Sequence, residues 1–291
     1  PTKVKRKIKK SRSLVGDLQA TFMEKMQSAP IEIDTTTYDV MDNLLNTNGD
    51  WFKHLIGAVV KPEELAEMHV NDRLSAQAAA ESLEREIEHG MGFAGSLKRT
   101  ARGFQDFWDS VYGARNNRMH FNSNVFNMQS SIVQRMMGSY KNFRTSIELE
   151  GITSENLLES ALDAEGKPTK LGLFLSAVAM NMEDYDSDLK DGILEDLDKH
   201  YKDKSLKNFT KDKVESRLFM PAFVKLLQSD EVQSAVSAMQ KVIDGKTITA
   251  ADRKTIETFV NKGGMGIQSV RALIEITNLM KAMQTGKPLS T

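Results

Sequence analysis

The spacing of apolar residues constrains the fold of this chain most strongly. Over most of its length they recur every three or four positions, as in Leu14, Leu18, Phe22 and Met26. This period places them on one face of an α-helix, whereas a half-buried strand would alternate with a period of two. We therefore predict an all-α protein: a multi-helix, bundle-like globule with one or two subdomains and a flexible basic N-terminal arm.

Local signals suggest where some helices begin and end. The polar run 46–50 is typical of a turn. Pro62 suits the first turn of a long helix, which we expect to end near His89 with Gly90 as its stop. Phe104 to Tyr112 places aromatic residues at helical spacing, which predicts one aromatic helix face.

Strand signals are short. The alternating segments 31–33, 147–149 and 247–249 allow at most a minor β ribbon. The last of them leads into Thr249 and Asp252, whose spacing resembles a helix capping box.

The charges are unevenly distributed. Residues 1–12 contain seven basic residues and no acidic one, which leaves 32 basic and 40 acidic residues in the body. We divide the chain into a basic arm (1–12), an N-terminal helical domain (13–150) and a C-terminal helical domain (151–291). A single helical domain is the alternative. The arm residues that we predict to contact a partner or nucleic acid are Lys3, Lys5, Arg6, Lys7, Lys9, Lys10 and Arg12.

Several kinds of chemistry are excluded by composition. The chain has no cysteine, so it can form no disulfide, thiolate zinc site, iron–sulfur cluster or cysteine nucleophile. No serine, histidine and aspartate can be grouped into a catalytic set by spacing alone. We therefore expect no enzyme activity and no cofactor.

We also expect neither a secretory signal nor a membrane-spanning helix. The start at Pro1 has no apolar run like that of a secretory signal. The apolar stretch 171–182 is shorter than the roughly 20 residues that span a bilayer. We expect an intracellular (cytoplasmic) location or one within an assembled particle. Whether Pro1 follows removal of methionine or a specific cleavage is left open.

Two segments resemble phosphate-binding loops. Gly90, Gly92 and Gly95 match the dinucleotide pattern G-x-G-x-x-G, but a predicted helix precedes them where that chemistry needs a strand. Residues 244–247 resemble the end of a P-loop, but Gln240 stands where its first glycine belongs. We interpret the first segment as a helix–helix connection and the second as a turn.

Metal-binding patterns are incomplete. The alternating acids near residue 184 resemble an EF-hand calcium loop, except that Leu189 occupies the position of the turn glycine. The alternative is an acidic loop at a helix N-terminus. The candidate calcium ligands are Asp184, Asp186, Asp188 and Glu195. Glu86 and His89 have the spacing of half a carboxylate metal site, or of a solvated pair.

Cations flank the aromatic segment 104–112. Lys98, Arg99 and Arg102 precede it, and Arg115 and Arg118 follow. Interleaved cations and aromatics can stack the bases of a single strand or lie on an anionic membrane. The alternative is that the aromatics are core and the cations form the outer helix face.

Two functions fit these features. The first is a non-enzymatic structural or assembly protein, such as a virion component. It would bind copies of itself, as a homo-oligomer, or other proteins through amphipathic helices and the arm. The alternative is a helical nucleoprotein that binds nucleic acid through the arm and residues 98–118, although an acidic body is unusual for that class. A solvated arm without a partner is also consistent with the sequence.

Overall fold

The computed structural model describes residues 17–99, 106–108, 111–113, 119–121, 126, 131–141, 145–165, 167–202 and 219–290. The predicted basic arm therefore lies outside the described residues. The chain divides into two compact units, residues 1–144 and 145–291.

The described part of the first unit contains long and short helices with short strands between them. The helices are α1 (Asp17–Ser28), α2 (Thr35–Leu55), α3 (Pro62–Glu67), α4 (Val70–Lys98) and α5 (Ile132–Met137). The strands are β1 (Ile31–Ile33), β2 (Val111–Gly113), β3 (Met119–Phe121) and β4 (Gly138–Tyr140). Strand β1 pairs antiparallel with β4, and β2 pairs antiparallel with β3.

The described part of the second unit is built mainly from helices. They are α6 (Leu157–Ala161), α7 (Lys170–Ala179), α8 (Ser187–Lys202), α9 (Met220–Leu227), α10 (Asp230–Ile243), α11 (Ala250–Gly263) and α12 (Ile267–Thr285). Strands β5 (Ser146–Ile147) and β6 (Leu289–Ser290) form an antiparallel pair that joins the two ends of this unit.

The all-α prediction is confirmed, because the strands of the described residues form only two-stranded ribbons. Residues 31–33 are a strand as predicted, whereas residues 247–249 are not. No helix in the described part of the chain combines the length and apolar character needed to cross a membrane.

The predicted turn at 46–50 is wrong. Helix α2 continues through this run and is only kinked at Asn48, whose φ of −143° and ψ of 37° leave the helical region. Leu44 before the kink and Phe52 after it are both buried. Because Leu44 and Phe52 are both buried, the helix segments before and after the kink both pack against the core. The polar run therefore bends the helix without ending it.

The predicted helix end at Gly90 is also wrong. Helix α4 continues to Lys98, and the interruption falls instead at Met68 and His69, after the short helix that Pro62 begins. A Cβ at Gly90 would lie 2.9 Å from Met137 Cε and 3.3 Å from Val133 Cγ1. Gly90 therefore allows α4 and α5 to pack closely.

The second unit has a helix start that the sequence predicts correctly. Thr249 Oγ1 accepts a hydrogen bond from the Asp252 amide at 3.2 Å, and Asp252 Oδ2 accepts one from the Thr249 amide at 2.8 Å. This reciprocal pair satisfies two backbone donors at the start of α11. Behind it, Phe259 of α11 and Leu273 of α12 are fully buried.

Candidate nucleic-acid interface

Helix α4 ends in a lysine held by side chains of α2. Lys98 Nζ donates a hydrogen bond to Asp39 Oδ1 at 2.6 Å and lies 5.0 Å from the ring centroid of Tyr38. The hydrogen bond to Asp39 raises the pKa of Lys98. Lys98 therefore stays charged and is positioned by the fold, while Asp39 offsets part of its positive field.

Arg99 follows Lys98 as the C-cap of the helix and is exposed. No carboxylate of the described residues forms an ion pair with it. A cation at a helix C-terminus is also favoured by the helix dipole. Of the other predicted contact residues, Arg102 and the arm cations Lys3, Lys5, Arg6, Lys7, Lys9, Lys10 and Arg12 lie outside the described residues.

The predicted aromatic helix face is wrong where the structure describes it. Residues 111–113 are strand β2, and Phe107 forms an antiparallel bridge with Ile31 of β1. The Phe107 amide donates to the Ile31 carbonyl at 2.9 Å, and the Ile31 amide donates to the Phe107 carbonyl at 2.7 Å. The backbone here is extended because β1 supplies a hydrogen-bonding edge, which helical spacing could not reveal.

The side chains of Phe107 and Trp108 face different surroundings. The Phe107 ring contacts Phe93 of α4 and Phe126 edge-on, with both centroid distances at 5.1 Å. Trp108 is 60% exposed. Successive side chains of an extended chain point to opposite sides, so fixing Phe107 in this ring cluster directs Trp108 to solvent.

The basic residues extend beyond the predicted segment 98–118. Residues 98–144 contain eight basic and two acidic residues, whereas residues 17–97 contain five basic and fifteen acidic residues. Arg135 and Lys141 also belong to this basic segment. The sequence motifs did not predict them as contact residues, because they lie beyond the cations that flank the aromatic segment. A charge count along the sequence would have found them. Lys141 Nζ forms an ion pair with Asp106 Oδ2 at 2.9 Å.

The candidate calcium ligands lie around the start of α8. Asp186 Oδ1 accepts hydrogen bonds from the amides of Asp188 and Leu189 at 2.9 and 3.3 Å. Asp184 Oδ1 instead accepts one from Lys190 Nζ at 2.6 Å. No group of three or more histidine, aspartate or glutamate residues in the described part of the chain is placed to hold a metal, so these acids and Glu195 are not gathered into one site.

The half metal site at Glu86 has a structural role. Glu86 Oε2 accepts hydrogen bonds from Ser131 Oγ at 2.9 Å and from the Ile132 amide at 3.0 Å. These are the groups at the start of α5. The carboxylate is therefore engaged in capping a helix.

The two phosphate-loop resemblances also have structural explanations. Gly90, Gly92 and Gly95 all lie inside helix α4, where no strand edge precedes them. Gly245 has a φ of 68° and sits in a turn after α10. Neither segment has the strand–loop–helix geometry that a nucleotide phosphate site needs.

A basic segment that also carries aromatic residues is one feature of proteins that bind nucleic acid. Residues 18–138 match the family model described as "Virion DNA-directed RNA polymerase domain". The match covers about two-fifths of the 291 residues and falls within the first unit. No curated protein and no solved structure matches the chain.

The match corrects two expectations. A polymerase domain is part of an enzyme that works on nucleic acid, so the prediction of a non-enzymatic structural protein is wrong. The prediction of no enzyme activity is wrong for the same reason. The expected association with a virion is supported, and nucleic acid becomes the better-supported partner.

Proposed function

We propose that this chain is a nucleic-acid-binding component of a virion DNA-directed RNA polymerase. In this proposal the first unit holds the nucleic acid through the basic segment 98–144. The match of residues 18–138 to a polymerase domain of that description is the observation that carries it.

The charge distribution supports this role. Phosphate contacts supply most of the sequence-independent affinity for nucleic acid, and they come from lysine and arginine. The excess of six positive charges in residues 98–144 contrasts with an excess of ten negative charges in residues 17–97. An acidic body can therefore carry a local binding surface, because a polyanion is attracted to one segment and repelled by the other.

The geometry of Lys98 and Arg99 supports it further. Both stand at the end of the 29-residue helix α4, next to each other and exposed. Arg99 is the better phosphate ligand of the two, since Lys98 already donates to Asp39. A guanidinium also binds phosphate in a bidentate manner.

Fluorescence anisotropy of a labelled single-stranded oligonucleotide tests the proposal on the full chain. We expect binding that weakens steeply between about 50 and about 200 mM salt, as counterion release requires. In the variant Arg99→Gln/Arg102→Gln the salt slope should fall by about 0.7 for each single-strand phosphate that is no longer neutralised. This variant leaves the pair of Lys98 and Asp39 in place.

The matched control is Lys254→Gln/Lys287→Gln. It also removes two positive charges, from exposed positions in the second unit. We expect its affinity and salt slope to stay close to those of the parent chain. Equal losses in both variants would show only a response to net charge, and absence of binding at low salt would refute the proposed function.

We further infer that the chain acts inside an assembled particle, which the word "virion" in the family description supports. Self-association is a separate proposal. Light scattering after gel filtration should then give a mass that is a multiple of 32.6 kDa. A mass of one chain at every concentration would rule out the homo-oligomer.

A further inference from the structure

Trp108 differs from the other exposed large apolar residues of the described chain. The others are aliphatic or methionine: Val59, Val70, Leu74, Leu173, Met180 and Leu194. Trp108 alone in this set is aromatic, and it also lies within the basic segment. An indole ring that stays exposed to water loses the large free energy that its burial would contribute. The exposed position of Trp108 therefore favours a ligand with a flat apolar face that can cover the ring.

The backbone beneath Trp108 is fixed. Two hydrogen bonds join Phe107 to Ile31, and the Phe107 ring packs against Phe93 and Phe126. Trp108 is thus attached to a supported extended segment. A side chain on a backbone fixed in this way leaves only its own rotamers to be ordered on binding, which favours affinity.

An ion pair lies close to the same support. Ile31 of β1 bridges to Phe107 and also pairs with Tyr140 of β4. Lys141 follows Tyr140, donates its amide to the Pro30 carbonyl at 3.0 Å and forms the ion pair with Asp106. Because Asp106 stands two positions before Trp108, the ammonium group of Lys141 is held near the same extended segment.

From this arrangement we propose that Trp108 is a stacking platform for one base of a single-stranded nucleic acid. Base stacking on an aromatic ring with cations beside it is how single strands are bound without sequence preference. A paired base in a duplex has no free face to offer the ring. The inference rests on the proposed function and adds to it the contact residue and the class of strand.

Tryptophan fluorescence of the full chain can test this directly. The chain has two tryptophans, so the variant Trp51→Phe leaves Trp108 as the single indole emitter. We expect oligo(dT) to quench that emission on binding, because a base stacked on the indole quenches it. A duplex of matched length should leave the emission largely unchanged.

Affinity provides the second readout. In the Trp51→Phe background, Trp108→Ala should weaken oligo(dT) binding about 5- to 150-fold, the range that loss of one base stack gives. Trp108→Phe should recover part of the loss, since a smaller ring still stacks. The control Leu74→Ala truncates a side chain of nearly the same exposure, 61%, on the acidic part of α4 and should change nothing.

The outcomes separate the inference from the proposed function. Unchanged affinity in Trp108→Ala, or equal quenching by the duplex, would overturn the stacking platform while leaving nucleic-acid binding intact. A parent chain that binds neither strand at low salt would overturn the proposed function as well. Circular dichroism of each variant would confirm that the fold is retained.

Discussion

Ser131 Oγ donates a hydrogen bond to Glu86 Oε2 at 2.9 Å, across 45 positions of sequence. The same oxygen accepts from the Ile132 amide, while Ser131 Oγ accepts from the Gln134 amide at 3.3 Å. Two side-chain oxygens therefore accept hydrogen bonds from backbone amides at the start of helix α5. One is the local Ser131 Oγ, and the other is Glu86 Oε2 of α4. This arrangement fastens a short helix that would be unstable alone.

Removing the Glu86 carboxylate should destabilise the first unit. In Glu86→Ala the Ser131 hydroxyl and the Ile132 amide lose their acceptor, which should cost about 1–2 kcal/mol of unfolding free energy. Urea unfolding followed by circular dichroism measures this. The control Glu88→Ala removes an exposed carboxylate two positions away and should cost less than about 0.5 kcal/mol. Equal midpoints for both variants would contradict the capping role.

The glycines of helix α4 should respond in opposite ways to alanine. At Gly92 an alanine methyl would have no neighbouring atom within 4 Å, so Gly92→Ala should stabilise the chain by up to about 1 kcal/mol through helix propensity. At Gly90 the methyl would press on Met137 and Val133, and Gly90→Ala should be the less stable variant. Comparing the thermal unfolding midpoints of Gly92→Ala and Gly90→Ala tests this difference. A gain of equal size at both positions would show that α4 and α5 do not pack closely.

The second unit contains a tighter contact. A Cβ at Gly172 of α7 would lie 2.0 Å from the carbonyl oxygen of Ala161 at the end of α6. Backbone cannot yield as a flexible side chain can, so Gly172→Ala should lower the unfolding free energy by at least about 2 kcal/mol. The control Gly49→Ala adds a methyl where no atom lies within 4 Å. Wild-type stability of Gly172→Ala in a urea titration would be incompatible with this helix contact.

Acid should weaken the start of helix α11. The hydrogen bond from Lys241, together with those from Thr249, lowers the pKa of Asp252 from 3.8 to about 2. The folded state therefore prefers the ionised carboxylate. Its stabilisation is present above about pH 4 and is lost as the pH falls toward 2.

The measurement compares urea midpoints at about pH 5 and near pH 2 for the parent and for Asp252→Asn, a range that runs from above the ordinary pKa of the carboxyl down to its shifted pKa. Other carboxylates titrate in both chains, so the informative quantity is the difference between them. The parent should lose more stability than the variant. Identical losses would mean that Asp252 is not held in its ionised form by the capping box.

The sequence predicts the start of helix α11 correctly because its signal is local. Thr249 and Asp252 stand three positions apart, within one helical turn. That prediction agrees with the capping box of α11. The fold class follows from the periodicity of the apolar residues.

Predictions failed where a distant partner decides the structure. Gly90 resembles a helix stop, but its packing against Met137 keeps it inside α4. Phe107 fits a helical stripe, but pairing with Ile31 makes its backbone extended. The candidate site was predicted in part: the sequence identifies Lys98 and Arg99 as cations near aromatics. It could not show whether Phe107 or Trp108 is the exposed aromatic, because that depends on which of the two rings packs against Phe93 and Phe126.

The continuity of helix α4 has a consequence for how a polyanion would approach the first unit. At about 1.5 Å per residue its 29 residues extend roughly 44 Å. Residues 70–88 have five acidic and two basic residues, while Lys98 and Arg99 occupy the opposite end. Because of this uneven charge, the electric field of an incoming nucleic-acid strand would rotate the first unit. The basic end of α4 would then face the strand before contact. Raising the ionic strength should slow association, since a Debye length of about 10 Å at about 0.1 M already shortens the range of that alignment.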